Sequence, residues 1–132
     1  MPWVAFVAVV LADQSSKFLA RRRLPQDGGA PARRLAWREV HPRWLARVGR
    51  AGAAALLIVA TGAVVVGSAG PLPASAVAGA AAALGAAASN LFDFARRGAV
   101  LDFIWLPPDA RWNLADLAIV GGLALVVGGV AA

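Results

Sequence analysis

The chain has no cysteine. Disulfides, thiol nucleophiles and thiolate metal sites are excluded together. It has one histidine, His41, so a zinc site or a serine–histidine nucleophile is hard to assemble. Acids are scarce as well, seven against 13 basic residues, and the resulting charge of +6 comes almost entirely from arginine. On a soluble protein that balance would point to nucleic acid. In a chain that is 60% hydrophobic the matching partner is lipid phosphate, and no nucleic acid is expected.

What the sequence has in abundance is Ala, Val, Leu and Gly, with a mean hydropathy of +0.68. A soluble core of 132 residues needs less apolar surface, so the composition reads as one membrane domain spanning 1–132. Four segments reach the roughly 20 residues needed to cross a bilayer: 1–20, 51–69, about 74–95 and 112–131. The first has no basic leader and no cleavage site, and is read as a retained helix. The other three are rich in Gly and Ala, which lets helix backbones approach closely. Base-composition bias explains part of that alanine equally well.

Residues 70–73 (GPLP) form a tight turn. Residues 21–50 form a long basic loop in which WREVHPRWLARVGR spaces Trp37, Val40, Trp44, Leu45 and Val48 near a helical period. With Arg38 and Arg43 beside them, this stretch reads as an amphipathic segment against headgroups, opened at Pro42, or as an irregular arginine-rich loop. In the shorter loop Gly98 turns the chain, and AVLDFIW reads as an extended run ended by Pro107 and Pro108. Trp105 and Trp112 bracket the return to the membrane. The fold class expected is therefore an all-α membrane protein of four transmembrane helices with a small extended, β-like extramembrane element. Both termini fall on one side, and the charged residues gather at the opposite face.

An ionisable group near hydrocarbon costs several kcal/mol unless paired, so each acid needs a reason. Asp13 and Lys17 stand four apart, where helical side chains meet, and read as a mutually neutralising pair. Asn90 and Asp93 share a face near the end of the third segment and suit interhelical hydrogen bonds. Asn113 and Asp116 have the spacing of a capping box. Asp102 fits none of these patterns, because it lies in an extended apolar run. A short loop links it to Asp116, so the two carboxyls can meet at the membrane surface. Paired carboxyls share a proton, and such a pair can activate water and protonate a leaving amine. Capping and catalysis both remain open for Asn113 and Asp116 on this reading.

Three pieces, DQSSK (13–17), NLFD with RRGAVLDFI (90–93 and 96–104), and WNLADLAIVGG (112–122), resemble the signal peptidase II family in order and spacing. The resemblance implies an intramembrane aspartyl endopeptidase that removes signal peptides from lipid-modified prolipoproteins, without metal or cofactor. Its catalytic pair falls on Asp102 and Asp116. Asn90, Asp93 and Asn113 fall on supporting positions, and Asp13 and Lys17 on the end of the first helix. Trp37, Arg38, Arg43 and Trp44 are expected to touch substrate or lipid. The implied location is the bacterial inner membrane with the active face outside the cytoplasm; the oligomeric state is left open.

The sequence departs from the family pattern at three points. Phe94 stands where an arginine usually follows the acid matching Asp93, with Arg96 and Arg97 nearby. The substrate-clasping element between the first two helices is replaced by REVHPRWLAR. The active face also carries the arginines, against the usual cytoplasmic bias. The main alternative is a noncatalytic relative that engages signal peptides or lipidated proteins without cutting them. A proton-relay transporter would spread its acids through the bilayer, and a serine protease of the rhomboid type lacks a suitable histidine.

Overall fold

The structure is a computed structural model that describes residues 2–27, 36–43, 72–106 and 110–131. Its elements run α1 (Pro2–Arg23), β1 (Arg38–Val40), α2 (Ala74–Arg97), β2 (Val100–Asp102), β3 (Ile104–Leu106), β4 (Ala110–Trp112) and α3 (Leu114–Ala131). The expected segment 51–69 and the Pro107–Pro108 stop lie outside the described residues. The three helices are long and apolar enough to cross a membrane. At 22, 24 and 18 residues they measure roughly 33, 36 and 27 Å, close to the hydrocarbon thickness.

Burial is inverted relative to a soluble protein. Asp13, Lys17, Asp93 and Asn113 are almost wholly enclosed, whereas Val4, Leu11, Phe18, Val120, Leu123 and Val127 are exposed. In water that arrangement would be unstable; in lipid it puts apolar side chains against acyl chains and polar ones against each other.

The helices touch through small residues. A Cβ added to Gly79 on α2 would collide with the carbonyl oxygen of Gly122 on α3, and one at Gly122 would collide with that of Gly79. Gly85 lies equally close to the backbone of Phe6 on α1. Close approach replaces hydrophobic burial as the source of helix cohesion. Gln14 meets Ser89 and Lys17 meets Asn90, so α1 and α2 run parallel. Gly79 meets Gly122 and Ser75 lies by Gly129, so α3 is antiparallel to them. The start of α1 and the end of α3 therefore share one end of the bundle, as expected, and the polar side chains gather at the other.

α2 ends at Gly98, whose φ of 74° is left-handed and costs glycine little; its N–H closes on Phe94 O at 2.8 Å. The reversal sends the chain into β2, which pairs antiparallel with β1 in the register Arg38↔Asp102, Glu39↔Leu101 and Val40↔Val100. β3 and β4 form a second antiparallel pair, with Trp105 opposite Arg111 and Trp112 opposite Ile104. The single extended run expected over 99–105 is thus two strands that diverge at Phe103. Arg111 ties the second pair to the loop after α1, donating to Asp27 Oδ2 at 2.8 Å and to Ala36 O at 3.0 Å.

Residues 38–40 form strand β1 and Trp37 bridges to Gln26, a pairing that neither an amphipathic segment opened at Pro42 nor an irregular arginine-rich loop anticipates. The physical reasons are local and tertiary together. His41 precedes Pro42, which disfavours helical φ/ψ there, and β2 offers an edge that satisfies the backbone of 38–40. The remainder of that stretch, from Trp44 onward, lies outside the described residues.

Candidate active site

The route from Asp102 to Asp116 is short in sequence and is closed by Asn113. Asp102 ends β2, which is buried throughout its length, and the β3–β4 pair returns the chain to the start of α3. Phe103 N–H donates to Trp112 O at 2.9 Å and fixes that return. Asn113 caps α3. Its side-chain oxygen accepts from Asp116 N–H at 3.0 Å, and its own N–H donates to Asp116 Oδ2 at 2.9 Å. This is the reciprocal capping box that the spacing suggests. The Asn113 amide nitrogen remains free to donate to Asp102 Oδ1 at 2.7 Å. One residue therefore holds both carboxyls, and capping and site-building are the same geometry.

The two carboxyls have different surroundings. Asp102 is 6% exposed, and burial pushes its carboxyl up to about 7; the Asn113 hydrogen bond opposes that rise and the nearby charge of Asp116 adds to it. Asp116 is half-buried in the first turn of α3, where the helix dipole favours an anion. It accepts a second bond from Asn90 Nδ2, at 3.1 Å. A cleft of about 330 Å³ lined by Arg111, Trp112, Ile119 and Val120 opens onto it.

Behind Asn90 lies a buried ionic cluster. Lys17 Nζ donates to Asn90 Oδ1 at 2.7 Å and pairs with Asp13 at 2.6 Å and Asp93 at 2.7 Å. Asp13 also accepts from Ser89 Oγ at 2.6 Å and from Ala115 N–H at 2.9 Å, locking α1 to the first turn of α3. Arg97 reaches back to within 3.5 Å of Asp93.

The seven residues singled out in the interior, Asp13, Lys17, Asn90, Asp93, Asp102, Asn113 and Asp116, are thus joined in one continuous hydrogen-bonded and ionic network. Those assigned to substrate or lipid are more scattered. Trp37 is half-buried under the Arg21 guanidinium, 5.7 Å from its ring centre. Arg38 is exposed opposite Asp102, Arg43 is exposed, and Trp44 lies outside the described residues. Sequence reasoning passed over Ser89 and Gln14, whose side chains join Asp13 and Asp93 into the cluster. The available signal was a lone serine in an alanine run and a glutamine beside Asp13. It also passed over the Arg111–Asp27 pair, separated by 84 residues and invisible to local spacing.

A family model described as Signal peptidase (SPase) II matches residues 5–131. Two solved bacterial membrane enzyme structures, both obtained by the in meso method, share the fold. One, at 2.3 Å resolution, has a TM-score of 0.79 at 16% identity, covering 98% of this chain and 87% of its own. The other, at 1.9 Å, has a TM-score of 0.75 at 17% identity, covering 98% and 91%. No curated protein matches significantly in sequence.

Proposed function

The chain belongs to the signal peptidase II family, and on that premise we propose that it is an aspartyl endopeptidase cleaving signal peptides from lipid-modified prolipoproteins. The observation that carries the reading is Asn113, which donates to Asp102 and caps through Asp116. In this reading Asp102 is the carboxyl that carries the shared proton and Asp116 the one that acts as base. Burial supports the first assignment; the helix dipole and two donated hydrogen bonds support the second.

Asp116 takes a proton from water as the oxygen attacks the scissile carbonyl, and Asp102 protonates the carbonyl oxygen. The tetrahedral diol then collapses: Asp116 returns its proton to the leaving nitrogen, the C–N bond breaks, and Asp102 recovers its proton from the diol hydroxyl. Neither a side-chain nucleophile nor a metal takes part. Asn90 and Lys17 orient Asp116 from behind, while Asp13 and Asp93 hold Lys17. The apolar cleft beside Asp116 suits a substrate segment presented from the bilayer. The chain acts as one domain in the bacterial inner membrane, its reactive end outside the cytoplasm, with lipid and the lipidated precursor as partners.

The experiment is incubation of the purified protein in lipid with a diacylglyceryl-modified prolipoprotein, beside Asp102→Asn and Asp116→Asn variants. Cleavage by the wild type and none by either variant is expected. An uncut precursor with a folded wild type rejects prolipoprotein processing.

A further inference from the structure

Three arginines at the reactive end of the bundle have no carboxylate among the described residues. α1 finishes on Arg21, Arg22 and Arg23, and α2 on Arg96 and Arg97. The two helices are parallel, so these last turns are neighbours, and Arg21 lies within electrostatic range of both Arg96 and Arg97. Arg21 is answered by Glu39 at 3.2 Å and Arg97 by Asp93 at 3.5 Å. Arg22, Arg23 and Arg96 are exposed and, among the described residues, form no ion pair. Two helix C-termini carry about half a negative charge each, so roughly +2 remains unanswered.

The surface leading to this charge is apolar and repeats one design twice. Phe18 and Phe92 are both exposed, at 54% and 52%, and each precedes an unpaired arginine by one helical turn. Arg22 sits over the Phe18 ring with 4.3 Å to its centre. Trp3, Val7 and Leu11 continue the exposed face of α1 away from the charge. A ring at acyl depth with a guanidinium one turn nearer the surface is the arrangement of a side chain reaching for headgroups.

We propose that the C-terminal turns of α1 and α2 form a binding site for anionic phospholipids. Arg22, Arg23 and Arg96 contact the headgroup phosphate, and Phe18 and Phe92 lie against the acyl chains. Guanidinium groups fork onto phosphate oxygens, and each basic residue near an anionic surface adds to the attraction. The occupant is a lipid rather than free phosphate because charge and apolar surface are continuous. None of the five residues belongs to the network around Asp102 and Asp116, so the site does not depend on the peptidase reading.

The test is electron paramagnetic resonance of the protein in phosphatidylcholine bilayers carrying spin-labelled phosphatidylglycerol or spin-labelled phosphatidylcholine. The immobilised fraction of each label gives their relative association. The wild type is expected to prefer phosphatidylglycerol by about fivefold or more, the preference shrinking in about 1 M salt. The triple variant R22Q/R23Q/R96Q is expected to lose it, while R22K/R23K/R96K keeps most of it, which separates charge from folding. Equal association of both lipids with the wild type overturns the proposal, as does an undiminished preference in the glutamine variant. Abolition by inorganic phosphate at constant ionic strength also overturns it, since the site would then take phosphate as such.

Discussion

Asn113 donates to Asp102 at 2.7 Å from the opposite side of the β3–β4 pair. The same residue caps the helix that carries Asp116, so helix initiation and alignment of the two carboxyls depend on each other.

Replacing Asn113 tests that coupling. Asn113→Ala removes a cap and is expected to cost about 1 kcal/mol in thermal unfolding. Cleavage should fall by roughly a hundredfold, more than that stability loss explains, because Asp102 loses the donor that aligns it. That hydrogen bond also stabilises the Asp102 anion, so the alkaline limb of the pH–rate profile should move to higher pH. An unchanged profile would reduce Asn113 to a cap.

The Asp102 carboxyl makes both activity and stability depend on pH. In the proposed mechanism cleavage requires its proton, so the rate is expected to drop above about pH 7, approaching tenfold per unit. For stability, the folded value of about 7 lies above an unfolded value of roughly 4. The native state alone holds the proton between them. Its contribution is full below about pH 4 and is lost as pH rises to about 7, up to roughly 4 kcal/mol. Unfolding of wild type and Asp102→Asn across pH 4–8 checks this: the variant's curve should lack that decline.

Lys17 is 1% exposed between two enclosed carboxylates. Lys17→Met takes the cation from Asp13 and leaves Asp93 only the longer Arg97 contact at 3.5 Å, at an expected cost of about 3–5 kcal/mol. The melting temperature in detergent should fall sharply. The double variant with Asp13→Asn should recover part of the loss, because one uncompensated charge is gone.

The glycines of α3 separate by contact. Gly122→Ala forces the backbone away from Gly79 and should weaken helix association, read as a lower melting temperature. At Gly121 a Cβ meets nothing within 4 Å, so Gly121→Ala should be neutral or stabilise by about 0.5–1 kcal/mol.

Much of the site was legible in local spacing. Asp13 and Lys17 at four residues, and Asn113 and Asp116 at three, are pairs that helix geometry brings together by itself. The isolation of Asp102 in an extended run was legible too, as a carboxyl with no local partner. Neither reading of 37–50, amphipathic segment or irregular loop, includes the strand at 38–40, because the edge it pairs with is supplied only by β2. Ser89, Gln14 and the Arg111–Asp27 pair were missed because their partners are 75 or more residues away.

By itself, then, the sequence determined the membrane as solvent, three described spans and the side of the bundle that carries charge. Those follow from apolar run length and from the cost of ions in hydrocarbon, both properties of a segment taken alone. Only the tertiary structure decided that Lys17 serves Asn90 as well as Asp13, that Asn113 reaches Asp102, and that Asp102 is buried enough to keep a proton near neutral pH. Desolvation and shared hydrogen bonds belong to the packed arrangement of α1, α2, α3 and the strands, and no single segment encodes them.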